Sequence, residues 1–394
     1  MARKDLGGKR EQDEFNLLLS PSRGVADDDP SSLRNPAIQE RFRDHIAQKL
    51  KKWCSNFPFG SLSTDLKRRN EELGIILLDL RKLREGIHSI RRIDTFACEV
   101  YETSVLLSLV ASNQAQFLSS LPHLVTVIHP TLARDELATS LASLSVSSTP
   151  SRPGPSNETR SFYLTLHLLH SHLLPAFTSS TSSQTTSSPP LSTFLPTLLS
   201  LCTLSSLPRP PKLRPSSPTS SQPPAADPYI SFLLELHLAL IHSSLSTLST
   251  LLSGLPPPPS SIQSHFNSLL SLSSKQASNP LALLLKDSIP QLREQFYRST
   301  IEKAFRIPPD PIEWLSKWLL FDFEVRVERE LGLFDRQLGK AELRGRRKEK
   351  TVESWDDEED EEGTKEKALM DEAVKKEAER RAVEFIKLKK RITT

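Results

Sequence analysis

Aromatic residues make up only 6% of this 394-residue chain, and 37% of residues are hydrophobic. The hydrophobic share lies below the roughly 45–50% apolar content of ordinary globular chains, a range that also counts glycine. A core built from this composition must rely on Leu, Ile and Val. Cysteine is scarce too. Cys54, Cys98 and Cys202 are scattered, odd in number and lack metal-ligand spacing. They read as reduced thiols of an intracellular protein rather than a disulfide framework. The twelve glycines form no phosphate-cradling loop and no dinucleotide fingerprint. Long apolar runs are missing as well, and stretches such as Ile75–Leu78 and Leu281–Leu285 fall far short of the ~20 residues of a membrane helix. The charged start, MARKDLGGKREQDEF, holds no secretory signal. Charge of one sign is also lacking: 51 basic against 48 acidic residues give a net +3, without the clustered basic surplus of a nucleic-acid binder.

What the chain does have is proline, 30 residues of it, and leucine at helical spacing. Residues 1–36 are polar and aperiodic, which predicts a disordered arm. A helix is expected from Pro36, with Ile38, Phe42, Ile46, Leu50 and Trp53 on one stripe. A second follows from about Ser63, carrying Leu66, Leu73, Ile76, Leu77 and Leu80. From Ile93 to Leu109 small and large residues share a face (Phe96, Ala97, Val100, Tyr101, Ser104, Leu107, Ser108), as expected of a helix buried between neighbours. Asn113-Gln114 makes a turn, and AQFLSSLPHLV begins another helix. The pattern is that of helical hairpins in a repeat stack.

Two inserts interrupt it. Residues 143–160 and 178–228 are dominated by Ser, Thr and Pro, too little apolar surface to offset the entropy of ordering, and both are expected to be disordered. FYLTLHLLHSHLLPAF between them reads as a helix, and LSTFLPTLLSLCTLSSL as a short helical island inside the second. YISFLLELHLALIHSSLSTLSTLLSGL reads as a further hairpin. Leu292–Phe305, Ile312–Phe321 and Val325–Leu331 then give three short helices, the beginning of a winged-helix module. Its strands belong in 333–345, a poor strand candidate that leaves the wing incomplete. Residues 344–394 form a charged tail, solvated by default, with a helix over 364–391.

Chemistry-bearing constellations are weak. His167 and His170 share a helix face, with His172 nearby, yet no Asp, Glu or Cys stands beside them in sequence, so surface histidines are the expected reading. Glu71-Glu72 and Glu99/Glu102 are expected on solvated faces rather than in acid–base roles. The basic groups Lys49–Lys52 and Arg344–Lys350 lack interleaved aromatics. Ser20-Pro21 and Ser217-Pro218 offer phosphorylation motifs in segments that serve equally as passive loops. No catalytic, cofactor-binding or metal-binding residue is therefore predicted, and the chain is not expected to be an enzyme.

The helix order, however, resembles a known family. QKLKKW, NEELGIILLDL and FACEVYETSVLLSLVASNQAQFLSSLPHLV, then SFLLELHLALIHSSLSTLSTLLSGLP and IPQLREQFYRSTIEKAFRIPPDPIEWLSKWLLFD, are similar to the PCI-domain family of proteasome non-ATPase regulatory subunit 8. Signalosome subunit eight, initiation factor 3 subunit K and the GANP-type mRNA-export proteins share that domain. The resemblance spans roughly residues 40–335 without the inserts, and EVYETSVLLSL also looks like the GANP-type block, with Ser104 and Val105 departing from it. It implies a mostly α protein, residues 37–335, in which a helical-hairpin stack is capped by a winged helix. It further implies a structural, non-catalytic subunit of the proteasome regulatory-particle lid or a related complex, in cytoplasm and nucleus. Its partners are then other PCI-type subunits, docked on Trp314, Trp318, Leu319 and Phe321. RNA contact through the winged helix and Arg344–Lys350 is the alternative. No cofactor, membrane or small-molecule substrate is expected.

Overall fold

The computed structural model describes residues 32–57, 66–143, 155–175, 191–205, 227–242, 244–271, 279–297, 316–317, 319–330 and 359–393. Among these, 87% are helical and none lies in a strand. The chain is all-α. No helix among the described residues is long and apolar enough to cross a membrane.

Helix α1 (Pro36–Asn56) starts where the sequence pattern places it, with Pro36 in its first turn and the Asn35 side chain accepting from the Ala37 N–H. Phe42, Ile46, Leu50 and Trp53 bury one face against α2 (Leu66–Ser89). The indole N–H of Trp53 donates to the Arg69 carbonyl at 3.0 Å. The expected disordered arm is ordered over its last residues. Leu33 is buried, and its carbonyl accepts from the Gln39 side chain. It lies so close to α2 that a Cβ on Gly86 would sit 2.6 Å from the Leu33 oxygen.

Helix α3 (Thr95–Val110) is the centre of the fold. Asp94 caps it by accepting from the Ala97 N–H, and Arg92 holds Asp94 while its guanidinium stacks on Phe96. It packs against α2, α4 (Gln114–His123), α10 (Ser260–Leu270) and α11 (Pro280–Phe296). Apolar residues therefore recur all round it, from Phe96 to Leu109. Both α2 and α3 end in a Schellman turn. After α2 the Arg91 and Arg92 N–H groups bond to the His88 and Ile87 carbonyls; after α3 Ser112 and Asn113 bond to Leu109 and Ser108. The left-handed position is filled by Arg91 (φ 51°) and Ser112 (φ 49°) rather than glycine.

Two helices widen just before a proline. The Leu124–Ile128 π-turn joins α4 to α5 (His129–Ser143) and precedes Pro130; the Leu169–Leu173 π-turn extends α6 (Asn157–Leu168) and precedes Pro175. Proline has no N–H for the carbonyl four residues back and its ring collides with that carbonyl. Opening the turn relieves the collision. Each extra residue rotates the helix beyond it by about 100° relative to an unbroken α-helix.

Helix α6 packs on α7 (Phe194–Ser205) and α8 (Pro228–Ile241), and α8 on α9 (Leu245–Ser253). The second insert, expected to be disordered over 178–228, therefore contains ordered structure: the island forms α7, with Phe194 and Leu198 buried. The first insert ends earlier than expected, since Ser156 already caps α6. Leu292 belongs to a helix that starts at Pro280, not near 292, and passes through Pro290. The expected break between Phe321 and Val325 is absent, because α12 runs unbroken over Phe321–Glu330, entered through Leu320 at φ 60°. The remaining residues expected in the winged helix, 333–345 among them, lie outside the described residues.

The charged tail also differs from expectation. Helix α13 (Glu359–Thr393) is longer than 364–391 and is not merely solvated. It packs against α12, burying Val374, Ala378 and Ala382 with Leu319, Phe321 and Val325 in a small second core. The helices from α1 to α11 share the other core, to which α12 adds Phe323 and Val327.

Candidate functional site

Of the four residues expected to dock a partner, Trp314 and Trp318 lie outside the described residues. Leu319 and Phe321 are buried, and what covers them is α13 of the same chain. Phe385 stacks edge-on against Phe321 at 6.0 Å and against Tyr297 at 5.4 Å. Arg381 bridges to Glu328 at 2.8 Å. A partner reaches Leu319 and Phe321 only if α13 moves away. The Arg344–Lys350 cluster lies outside the described residues.

Apolar surface is instead open on α7 and α8. Leu195 and Leu199 on α7, and Leu234, Leu238 and Ile241 on α8, are exposed at helical spacing, Leu199 by 65% and Leu238 by 52%. The two helices touch through Phe194 and His237, whose rings stack at 4.4 Å. Each therefore buries one face against the body while turning leucines to solvent on the other.

The histidines of α6 are drawn inward. His170 packs on Phe117 at 5.0 Å, and burial lowers the pKa of His167 to about 4, with the charges of His172 and His170 adding to the effect. Among the described residues they gather no acidic or thiol partner. An open cleft of about 630 Å³ between α2, α3 and α4 is lined by Arg84, His88, Tyr101 and His123. Arg84 donates to Gln116 at 2.7 Å and to Ser119 at 3.1 Å. Burial brings its pKa down to about 10.

One cluster was not foreseen. Cys98 and Glu102, four apart on α3, share an inner face, and the π-turn before Pro130 brings His129 against them. Glu102, expected on a solvated face, is only 17% exposed; its Oε1 lies 3.5 Å from Cys98 Sγ and 3.3 Å from His129 Nε2. Burial pushes the Cys98 thiol pKa up, and the Glu102 charge adds to it. The fully buried Tyr163 of α6 stands edge-on to the His129 ring at 5.5 Å. Its hydroxyl has no hydrogen-bond partner, and burial, then the Glu102 and Cys98 charges, raise its pKa. The Cys-x-x-x-Glu spacing was visible in the sequence. The third member, 27 residues away behind a backbone irregularity, was not.

No protein-family model matches this chain, and neither a curated protein nor a solved structure does.

Proposed function

We propose that this protein is a non-catalytic scaffold subunit of a multi-subunit assembly, of the PCI type found in the proteasome regulatory-particle lid and its relatives. The observation that carries the reading is the outer face of α8. Its inner face is satisfied by Phe232, Leu233, Leu236 and Leu240 in the core, yet Leu234, Leu238 and Ile241 stand in solvent, as do Leu195 and Leu199 of α7. Monomeric proteins rarely leave contiguous apolar patches without a use, and covering one with a partner stabilises at roughly 25 cal/mol per Å² before association costs.

The sequence resemblance supplies the kind of partner, a second helical subunit, and the all-α body with α13 folded onto α12 agrees with a subunit whose C-terminal helix does structural work. The test is co-sedimentation of the full chain with the lid or a related PCI complex. The Leu234→Glu, Leu238→Glu double variant should leave the large assembly and run free while keeping its helical signal. If the variant stays in the assembly as the parent does, this face is not the docking surface. If the parent chain never enters such an assembly, the scaffold reading in its PCI form fails.

A further inference from the structure

We propose that Cys98, Glu102 and His129 form a mononuclear site for a borderline divalent cation of the zinc class, with a fourth position left to a water held by the Tyr163 hydroxyl.

The spacing of the donor atoms carries this. One carboxylate oxygen serves both neighbours, at 3.5 Å from the thiol and 3.3 Å from the imidazole. The imidazole contact is long for a hydrogen bond to a carboxylate, since charge-assisted N–H···O contacts settle at about 2.7–2.9 Å, whereas 3.5 Å is an ordinary length for a thiol donor. As edges of a metal site they fit. Bonds of about 2.3 Å to sulfur and about 2.0 Å to nitrogen and oxygen, spread at the tetrahedral angle, place S and O about 3.5 Å apart and N and O about 3.3 Å apart. The three donor atoms all lie within 4.8 Å of one another. The remaining edge, sulfur to nitrogen, closes from at most 4.8 Å to about 3.5 Å when the ion binds.

Donor chemistry selects the ion. A thiolate with an imidazole and a carboxylate suits Zn²⁺ or Co²⁺, whereas Mg²⁺ and Ca²⁺ prefer oxygen throughout. Three protein ligands leave one position of a tetrahedron open. Tyr163 supplies an independent sign that something is held there. A hydroxyl fully buried without a partner costs about 1–3 kcal/mol, and Tyr163 stands in contact with His129 and within reach of the Glu102 and Cys98 charges. A metal-bound water gives that hydroxyl its partner. Glu102, 17% exposed, offers the route by which an ion enters.

The site has a structural consequence. Its ligands come from α3 and from the start of α5, and Tyr163 from α6. A cation there ties the central helix to the irregular segment that follows α4. The inference is independent of the scaffold reading, since none of its residues lies on α7 or α8.

The test is cobalt substitution in the full chain after treatment with a chelator. Wild-type protein should take up one equivalent of Co²⁺, with a thiolate-to-cobalt charge-transfer band in the near ultraviolet and the visible bands of a four-coordinate ion; Zn²⁺ should displace it. Cys98→Ser should abolish the charge-transfer band, whereas Cys54→Ser and Cys202→Ser should keep it. The near-isosteric Glu102→Gln should weaken binding at least tenfold, and Tyr163→Phe by about 10–100-fold, the usual effect of losing a supporting hydrogen bond. Circular dichroism of each variant reports whether it has folded. Failure of folded wild-type protein to bind Co²⁺ or Zn²⁺ overturns the proposal, as does a charge-transfer band that survives Cys98→Ser.

Discussion

The guanidinium of Arg293 lies over the ring of Phe321, its Cζ 3.6 Å from the ring centroid. The same side chain donates through Nε to the Leu319 carbonyl at 2.6 Å and pairs with Glu324. One arginine of α11 thus closes the entry to α12 and sets the surface on which α13 packs. Burial lowers the Arg293 pKa, opposed by the Glu324 charge, so the ion is tolerated there only while its partner is present. Arg293→Ala should cost about 3 kcal/mol, because it leaves Glu324 unpaired and half-buried. Urea denaturation measures this, and limited proteolysis should show α13 cut first. A loss below about 0.5 kcal/mol would mean that the pair contributes nothing to docking α13.

Gly86 is required by close approach and not by its backbone angle. Its missing Cβ would meet the Leu33 carbonyl oxygen at 2.6 Å and the Leu33 Cβ at 3.0 Å. Gly86→Ala should therefore destabilise by about 1–3 kcal/mol. The gain in helix propensity, about 1 kcal/mol for an unhindered glycine, should appear instead at Gly74, where nothing lies within 4 Å. Opposite signs for the two variants in one denaturation series are the expected result.

At Arg91 the sequence holds a poor residue for its place. It is exposed, and it occupies the left-handed position of the α2 Schellman turn at φ 51°. A side chain there costs about 1–2 kcal/mol, and glycine removes that cost while losing some entropy on folding. Arg91→Gly should raise stability by up to about 1 kcal/mol on those figures, seen as a higher melting temperature with unchanged helicity.

Acid should weaken the fold through α6. The His167 pKa falls from 6.5 to about 4 in the folded chain, first because of burial and then because of His172 and His170. Burial lowers the pKa of both neighbours as well. Above pH 6.5 both states are neutral and nothing is lost. Between 6.5 and about 4 the unfolded chain takes a proton that the folded one refuses, so stability falls with pH and levels off below that window. The His167 contribution to this loss is on the order of 3 kcal/mol. His167→Gln should flatten the pH dependence of unfolding across the window; an unchanged slope would place the titrating group elsewhere.

Much of the fold could be read from the spacing of leucines. The stripe from Phe42 to Trp53, the crowded faces of α3 and the α7 island were all legible, because a helix that buries one side must repeat its apolar residues every three or four positions. The Leu319–Phe321 face was legible as apolar but not as occupied. The helix that covers it lies more than 35 residues further on, and its buried stripe of Ala373, Val374, Ala378 and Ala382 is hidden among charges. Alanine carries little hydropathy signal, yet its small size is what lets α13 approach α12.

By itself the sequence determined the helical class and the helix starts at Asn35-Pro36, Asp94 and Asn113. These are local matters of backbone geometry and of caps a few residues away. Tertiary structure alone decided which faces met. It turned Glu102 inward to Cys98 and His129, folded the charged tail onto Phe321, and left Leu234 and Leu238 in solvent. Each of those outcomes depends on packing between segments far apart in the chain, and helical periodicity says which side of a helix is apolar but not what it will touch.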